Sequence, residues 1–234
     1  MTQTNNKGRI IGLLYLIIAI IGGFSIGYMP SEIIHLENSF LTYTKFQEQT
    51  SLFYLGLTGD LIVFLAELIL TVLLYEMYKP ISKTFSTIAT YARFSMAIIM
   101  GLNLVNYLIP AFIYTNGENI LTGTALNLQQ DISLIFFYAH KIGEYCWQIF
   151  FFVHLFILGI LIKKSTYVPK KIGIAMLLGS FGYFFQSLFF FLNIQNGYIS
   201  TITNILLTIA VIGELTFTFW LLIKGIKMTS TNKI

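Results

Sequence analysis

The sequence predicts an all-α fold: a polytopic membrane helix bundle of six transmembrane helices, with N-terminus and C-terminus cytoplasmic. Three observations predict it. Six long apolar runs take up most of the 234 residues, and about 20 helical residues suffice to cross a bilayer core. The composition is 56% hydrophobic and 10% charged, against about 25% charged in a soluble domain. The lysines gather at every second junction between the runs, as the positive-inside rule asks of alternating cytoplasmic loops. No room remains for a separate soluble domain, so residues 1–234 are expected to form a single membrane-embedded helical domain.

Each run has its own boundaries. Span 1 covers about Arg9–Tyr28, with Gly22, Gly23 and Gly27 before Pro30. It lacks the short apolar region and Ala-x-Ala site of a cleaved signal peptide, so an uncleaved first span is expected. Residues 30–50 carry Glu32, Glu37 and Glu48 against Lys45, with apolar residues spaced for a short helix on the membrane surface. Span 2 covers about Ser51–Tyr78 and stops at Lys79-Pro80. Span 3 covers about Thr84–Tyr114 and gives way to the turn pairs Asn116-Gly117 and Thr122-Gly123. Span 4 covers about Asp131–Ile162, and a lysine-rich turn from Lys163 to Lys171 follows. Span 5 covers about Ile172–Asn193, Gln195-Asn196-Gly197 turns the chain, and span 6 covers about Ile199–Ile223 before a polar tail.

Lys7, Arg9, Lys79, Lys83, Lys163, Lys164, Lys170, Lys171, Lys224, Lys227 and Lys233 fall on one side of this arrangement. Only Lys45 lies in a connection on the other, and that bias assigns the first side to the cytoplasm. The runs are continuous rather than alternating, which excludes membrane β-strands. A helix satisfies its own backbone groups in lipid. The net charge of +4 comes from these loop lysines without interleaved aromatics, so it reports topology and predicts no nucleic-acid partner.

The residues that are expensive in hydrocarbon are the candidate site. Asp60 and Glu67 lie seven residues apart on one face of span 2. Two acids at mid-helix cost about 5–7 kcal/mol, and the apolar residues of the span return about 4.5–9. The span therefore inserts with little margin, and its acids must be protonated, paired or wet. Glu67 and Arg93 are each thirteen residues from Pro80, so they should meet at one depth as an Arg–carboxylate pair. Span 4 adds His140, Lys141, Glu144, Gln148 and His154, with His140 and Glu144 one turn apart. Span 6 adds Glu214. Two polar layers are predicted: an inner one of Glu67, Arg93, His154 and Glu214, and an outer one of Asp60, Asn103, His140 and Glu144. Ionisable residues inside a membrane point to function, while the same groups also tie helices together. The stripe of Gly179 and Gly182 is expected to serve close packing.

Several chemistries are excluded. His140 and His154 stand about 21 Å apart along one helix and cannot share a metal ion. The mixed set of His140, Glu144 and Asp60 is the remaining metal alternative, and no metal or other cofactor is expected. Stacked haems would lack second axial ligands. Walker and dinucleotide motifs are absent from the sequence, and no nucleophile elbow is expected, because the Gly-x-Ser-x-Gly letters of Gly23-Phe24-Ser25-Ile26-Gly27 lie inside apolar span 1 rather than at a strand-to-helix turn. The lone Cys146 excludes an intramolecular disulfide.

An ordered set of residues runs through the whole chain. It begins with Arg9-Ile10-Ile11-Gly12-Leu13-Leu14-Tyr15 and continues with Gly59-Asp60, Leu74-Tyr75-Glu76, Tyr91-Ala92-Arg93, Asn103 and Asn106. His140, Phe151-Phe152-Val153-His154-Leu155, Leu158-Gly159, Pro169, Gly173 and Gly182-Tyr183 complete it. In this set the chain resembles the integral-membrane family known as domain of unknown function 4386. The resemblance implies a multi-span membrane protein of bacteria or archaea, and it implies no activity.

Three functions remain open from the sequence. A transporter-like or small-molecule or lipid-binding protein would have a cavity lined by Asp60, Glu67, Arg93, His140 and His154. A non-catalytic partner, sensor or regulatory subunit would bind another protein. An intramembrane enzyme acting on a lipid-like substrate would use His140 and Glu144 as its acid/base pair. The expected partners are the lipid bilayer and a small hydrophobic ligand or ion. The expected location is the bacterial cytoplasmic membrane.

Overall fold

The computed structural model describes residues 3–226, with side chains from Asn6 onward except that of Glu118. Lys227 and Lys233, counted above in assigning orientation, lie outside the described residues. The described residues form only helices and their connections: α1 (Gln3–Gly22), a π-helical turn (Gly23–Tyr28), α2 (Met29–Ile33), α3 (Ser39–Glu48), α4 (Thr50–Tyr78), α5 (Lys83–Asn103), α6 (Val105–Ile120), α7 (Leu126–Lys164), α8 (Lys170–Phe191) and α9 (Gly197–Lys224). Among the described residues six stretches are long and apolar enough to cross a membrane: Asn6–Ile33, Thr50–Tyr78, Lys83–Gly117, Leu126–Lys164, Lys170–Phe191 and Gly197–Lys224. The chain is thus an all-helical, multi-pass membrane protein. Its surface agrees with lipid as solvent, because large apolar side chains such as Ile20, Leu102, Ile135 and Ile223 are exposed while Glu67, Arg93 and His154 are buried.

Two boundaries differ from the sequence expectation. Span 1 does not stop before Pro30. Pro30 occupies the first turn of α2, where its missing N–H would have no intrahelical partner anyway. The apolar helix therefore runs on to Ile33 through the π-helical turn. Span 3 is interrupted at Leu104 and carries Pro110 inside α6. The proline removes the bond to the Asn106 carbonyl and crowds that turn, and α5 ends just ahead of it. Residues 30–50 do hold a short helix, α3, capped by Asn38, whose side chain accepts from the Leu41 N–H at 2.9 Å, and its Phe46 packs into the protein core.

The chain divides into two compact units. The first contains α1 as far as Ala19, Ala66–Ala97, and the chain from Trp147 onward. Its helices meet through glycines. A Cβ at Gly179 would lie 2.5 Å from the Ala210 Cα, and one at Gly182 would lie 2.6 Å from the Leu207 N. Gly159 and Gly173 oppose each other so closely that a Cβ on either would sit 2.7 Å from the other's carbonyl oxygen. Such approach maximises van der Waals contact where lipid supplies no hydrophobic drive between helices. Gly225 ends α9 at φ 61°, a conformation that suits glycine.

The second unit contains Ile20–Leu65 and Ile98–Cys146. Its core is aromatic: Phe46, Phe53, Tyr107, Tyr114 and Phe137 pack with Met29, Ile33, Ala111 and Ile113. Phe46 and Phe53 meet edge to face at 5.0 Å, a favoured geometry for such rings. Gln47 donates to the Tyr114 carbonyl at 3.2 Å, and Ser39 donates to Asp131 at 2.6 Å.

Candidate functional site

In the first unit, Arg93 is the hub. It is fully buried, and its Nε lies 2.6 Å from Glu67 Oε2. Its Nη1 donates to His154 Nε2 at 2.9 Å and to the Tyr15 hydroxyl at 3.3 Å. The guanidinium also lies 5.1 Å from the Tyr15 ring centre and 5.9 Å from that of Phe151, within cation–π range. His154 Nδ1 sits 2.9 Å from the Ala89 carbonyl. Arginine only donates and a carbonyl only accepts. Both contacts are therefore satisfied by the neutral imidazole with its hydrogen on Nδ1. That nitrogen's neighbour is committed to Arg93, so neither ring nitrogen remains for a metal or a substrate proton.

The expected pairing of Glu67 with Arg93 is present, and three of the four inner-layer residues are in contact. Glu214 is not joined to Arg93 by an ion pair or hydrogen bond among the described residues. It faces Tyr183, and its Oε1 is buried without a hydrogen-bond partner. The cluster is nearly closed. The void beside it, lined by Thr71, Tyr78, Ser86, Ala89, Thr90 and His154 among others, has a volume of about 10 Å³, room for about one water.

The second unit holds the predicted outer residues in a different kind of place. Asn103 Nδ2 donates to the His140 carbonyl at 2.9 Å, and Asn106 Nδ2 donates to Asn103 Oδ1 at 2.8 Å. Gly143 makes room for this, because a Cβ there would overlap the Asn103 amide. The His140 ring stacks on Tyr107 with centres 3.6 Å apart and planes 10° apart. Glu144 is held by Lys141 Nζ at 2.6 Å through Oε2. His140 Nδ1 lies 3.7 Å from Glu144 Oε1, longer than a hydrogen bond. Glu144 thus turns to the lysine rather than to the histidine expected as its acid/base partner. Asp60 faces Ser25, yet its Oδ1 and Ser25 Oγ are both buried without hydrogen-bond partners. No three His, Cys, Asp or Glu side chains among the described residues converge as metal ligands.

A cavity of about 270 Å³ opens beside this cluster. Its lining includes Tyr107, His140, Lys141 and Glu144, together with Ile26 and Gly27 of the π-helical turn and Pro30 and Ser31 of α2. The volume is near the lower end of small-molecule sites, about 300–1,000 Å³. A wide helical turn next to a cavity is a common device at functional sites. Asp60 and Asn103 do not appear in this lining; Asn103 acts one step back, holding the His140 backbone.

Sequence reasoning missed several partners. Tyr15 is 78 residues from Arg93, and no local pattern connects them. The Ala89 carbonyl is backbone, so it leaves no signature. Lys141 was legible, because it stands three residues before Glu144 on one helical face. The His140–Tyr107 stack needed the crossing of two helices.

A family model described as Domain of unknown function (DUF4386) matches residues 10–225. An uncharacterized protein of Archaeoglobus fulgidus is 30% identical over 174 residues, covering 74% of this chain and 86% of its own length. No solved structure matches the chain. The match begins at Ile10 in α1, ends at the Gly225 cap of α9 and takes in both polar clusters, so this chain belongs to the DUF4386 family.

Proposed function

We propose that the protein is a transporter-like or ligand-binding membrane protein that takes a small molecule into the cavity of the second unit. The observation that carries this is the cavity of about 270 Å³ with Lys141, Glu144, His140 and Tyr107 in its wall. Charged groups at a concave, otherwise apolar site fix the orientation of a ligand. The Arg93 cluster, by contrast, joins its members to one another by an ion pair and hydrogen bonds beside a void of about 10 Å³. Its role is to hold helices together. In this reading the termini face the cytoplasm, by the lysine distribution, and the protein resides in the cell membrane of a bacterium or archaeon.

Native mass spectrometry of the purified protein in mild detergent tests the reading. A co-purifying small species is expected on the wild type, reduced in Glu144→Gln and in His140→Ala. It should be retained in Thr90→Val, which alters the small void of the first unit. A wild type free of any bound species, and unable to take one up from added extract, overturns it.

A further inference from the structure

Three residues of the cavity wall, His140, Lys141 and Glu144, come from α7. That helix has 39 residues, about 58 Å at 1.5 Å per residue, whereas a bilayer core is about 30 Å thick. Lys163 and Lys164 end it. About 20 residues back from Lys164, one bilayer thickness, stands Glu144. Lys141 and His140 follow one turn further on. Tyr138 and Tyr145 stand on either side of Lys141 in the sequence, residues of the type enriched at a membrane–water interface.

The chemistry of the wall is zwitterionic. Lys141 Nζ uses one hydrogen on Glu144 Oε2, and an ammonium has three. Among the described residues Glu144 Oε1 accepts no hydrogen bond, and its ionic approach to His140 is 3.7 Å. One donor-rich cation and one acceptor-rich carboxylate thus stand side by side, each with capacity left. An occupant that satisfies both carries an anion and a cation a few bonds apart. A phosphate for Lys141 and a primary ammonium for Glu144 fit this. The remaining wall, with Ile26, Ile34, Leu36 and Phe137, is apolar and would face the hydrocarbon end of an amphiphile.

We propose that the cavity binds a zwitterionic phosphoethanolamine headgroup, with Lys141 on the phosphate and Glu144 on the ammonium. This rests on the ligand-binding reading of the cavity given above. The headgroup can arrive on a membrane lipid or on a soluble phosphodiester, and the apolar remainder of the wall favours the lipid.

The test is native mass spectrometry of the full chain titrated with phosphatidylethanolamine, phosphatidylglycerol and soluble glycerophosphoethanolamine. Phosphatidylethanolamine is expected to bind about tenfold more tightly than phosphatidylglycerol, since one charge-assisted bond separates them. Glu144→Gln should erase that preference, and Lys141→Gln should weaken both lipids. The double variant Lys141→Gln/Glu144→Gln, which keeps a neutral hydrogen bond, should be folded by its melting temperature and show no preference. Competition by glycerophosphoethanolamine at matching affinity supports the headgroup chemistry and makes the soluble compound the source. Equal binding of the two lipids, or a preference that survives Glu144→Gln, overturns the proposal. Occupancy by an unrelated compound, with both lipids excluded, sinks the headgroup assignment and leaves the cavity reading standing. A cavity that takes up nothing sinks both.

Discussion

Arg93 and Glu67 face each other at 2.6 Å with almost no solvent exposure on either side chain. The guanidinium is further committed to His154 and Tyr15. Removing one member leaves the other's charge buried, which costs about 3–5 kcal/mol. Glu67→Gln is therefore expected to lower the thermal unfolding midpoint in detergent strongly. The double variant Glu67→Leu/Arg93→Met should regain much of the loss, because apolar replacement of a whole buried pair is often neutral. Equal midpoints for the single and double variants would show that the pair does not set stability.

The hydrogen bonds of His154 fix its tautomer. Nitrogen-15 NMR of labelled protein should find the hydrogen on Nδ1 and a bare Nε2. His154→Ala leaves the Ala89 carbonyl and an Arg93 N–H without this partner, at about 1–3 kcal/mol for each group, and should unfold at lower temperature. A hydrogen on Nε2 would contradict the contact with Arg93.

Glycines in the two units should respond in opposite ways to a methyl group. Gly179→Ala places a Cβ 2.5 Å from the Ala210 Cα, so α8 and α9 must separate. Stability should fall by about 1–3 kcal/mol, as overpacking does. Gly27→Ala meets nothing within 4 Å and should be neutral or stabilising by about 0.5–1 kcal/mol through reduced chain entropy. Comparison of the two melting curves checks both.

Orientation is open to direct labelling. In a Cys146→Ser background, Lys45→Cys is expected to react with a membrane-impermeant maleimide on intact cells. Lys7→Cys and Lys170→Cys should react only after the membrane is opened. Reaction of Lys7→Cys and Lys170→Cys on opposite faces would break the alternation of spans.

Much of the fold was legible because lipid enforces it. Any segment crossing hydrocarbon must bury its own backbone polarity and be apolar along its length, so α4, α8 and α9 were readable within a few residues. Pro30 and Pro110 were harder. A proline in the first turn of a helix costs little, one inside a helix disrupts it, and only the surrounding chain decides which case applies. Glu67 with Arg93 was found by counting from a shared turn, a rule that works for neighbouring antiparallel helices. Tyr15 escaped it, since contacts between distant spans depend on how the helices are arranged.

The sequence by itself determined the solvent, the number of crossings, and which side chains are too costly to face acyl chains. These follow from hydropathy and helix pitch, which are local properties. Only the tertiary structure decided how those costly groups divide. It joined Glu67, Arg93 and His154 to one another beside almost no free volume, and it left Lys141, Glu144 and His140 along an open cavity. That difference is a matter of packing. Two sets of polar residues with the same insertion cost become a tie between helices or a binding wall according to whether neighbouring side chains fill the space beside them.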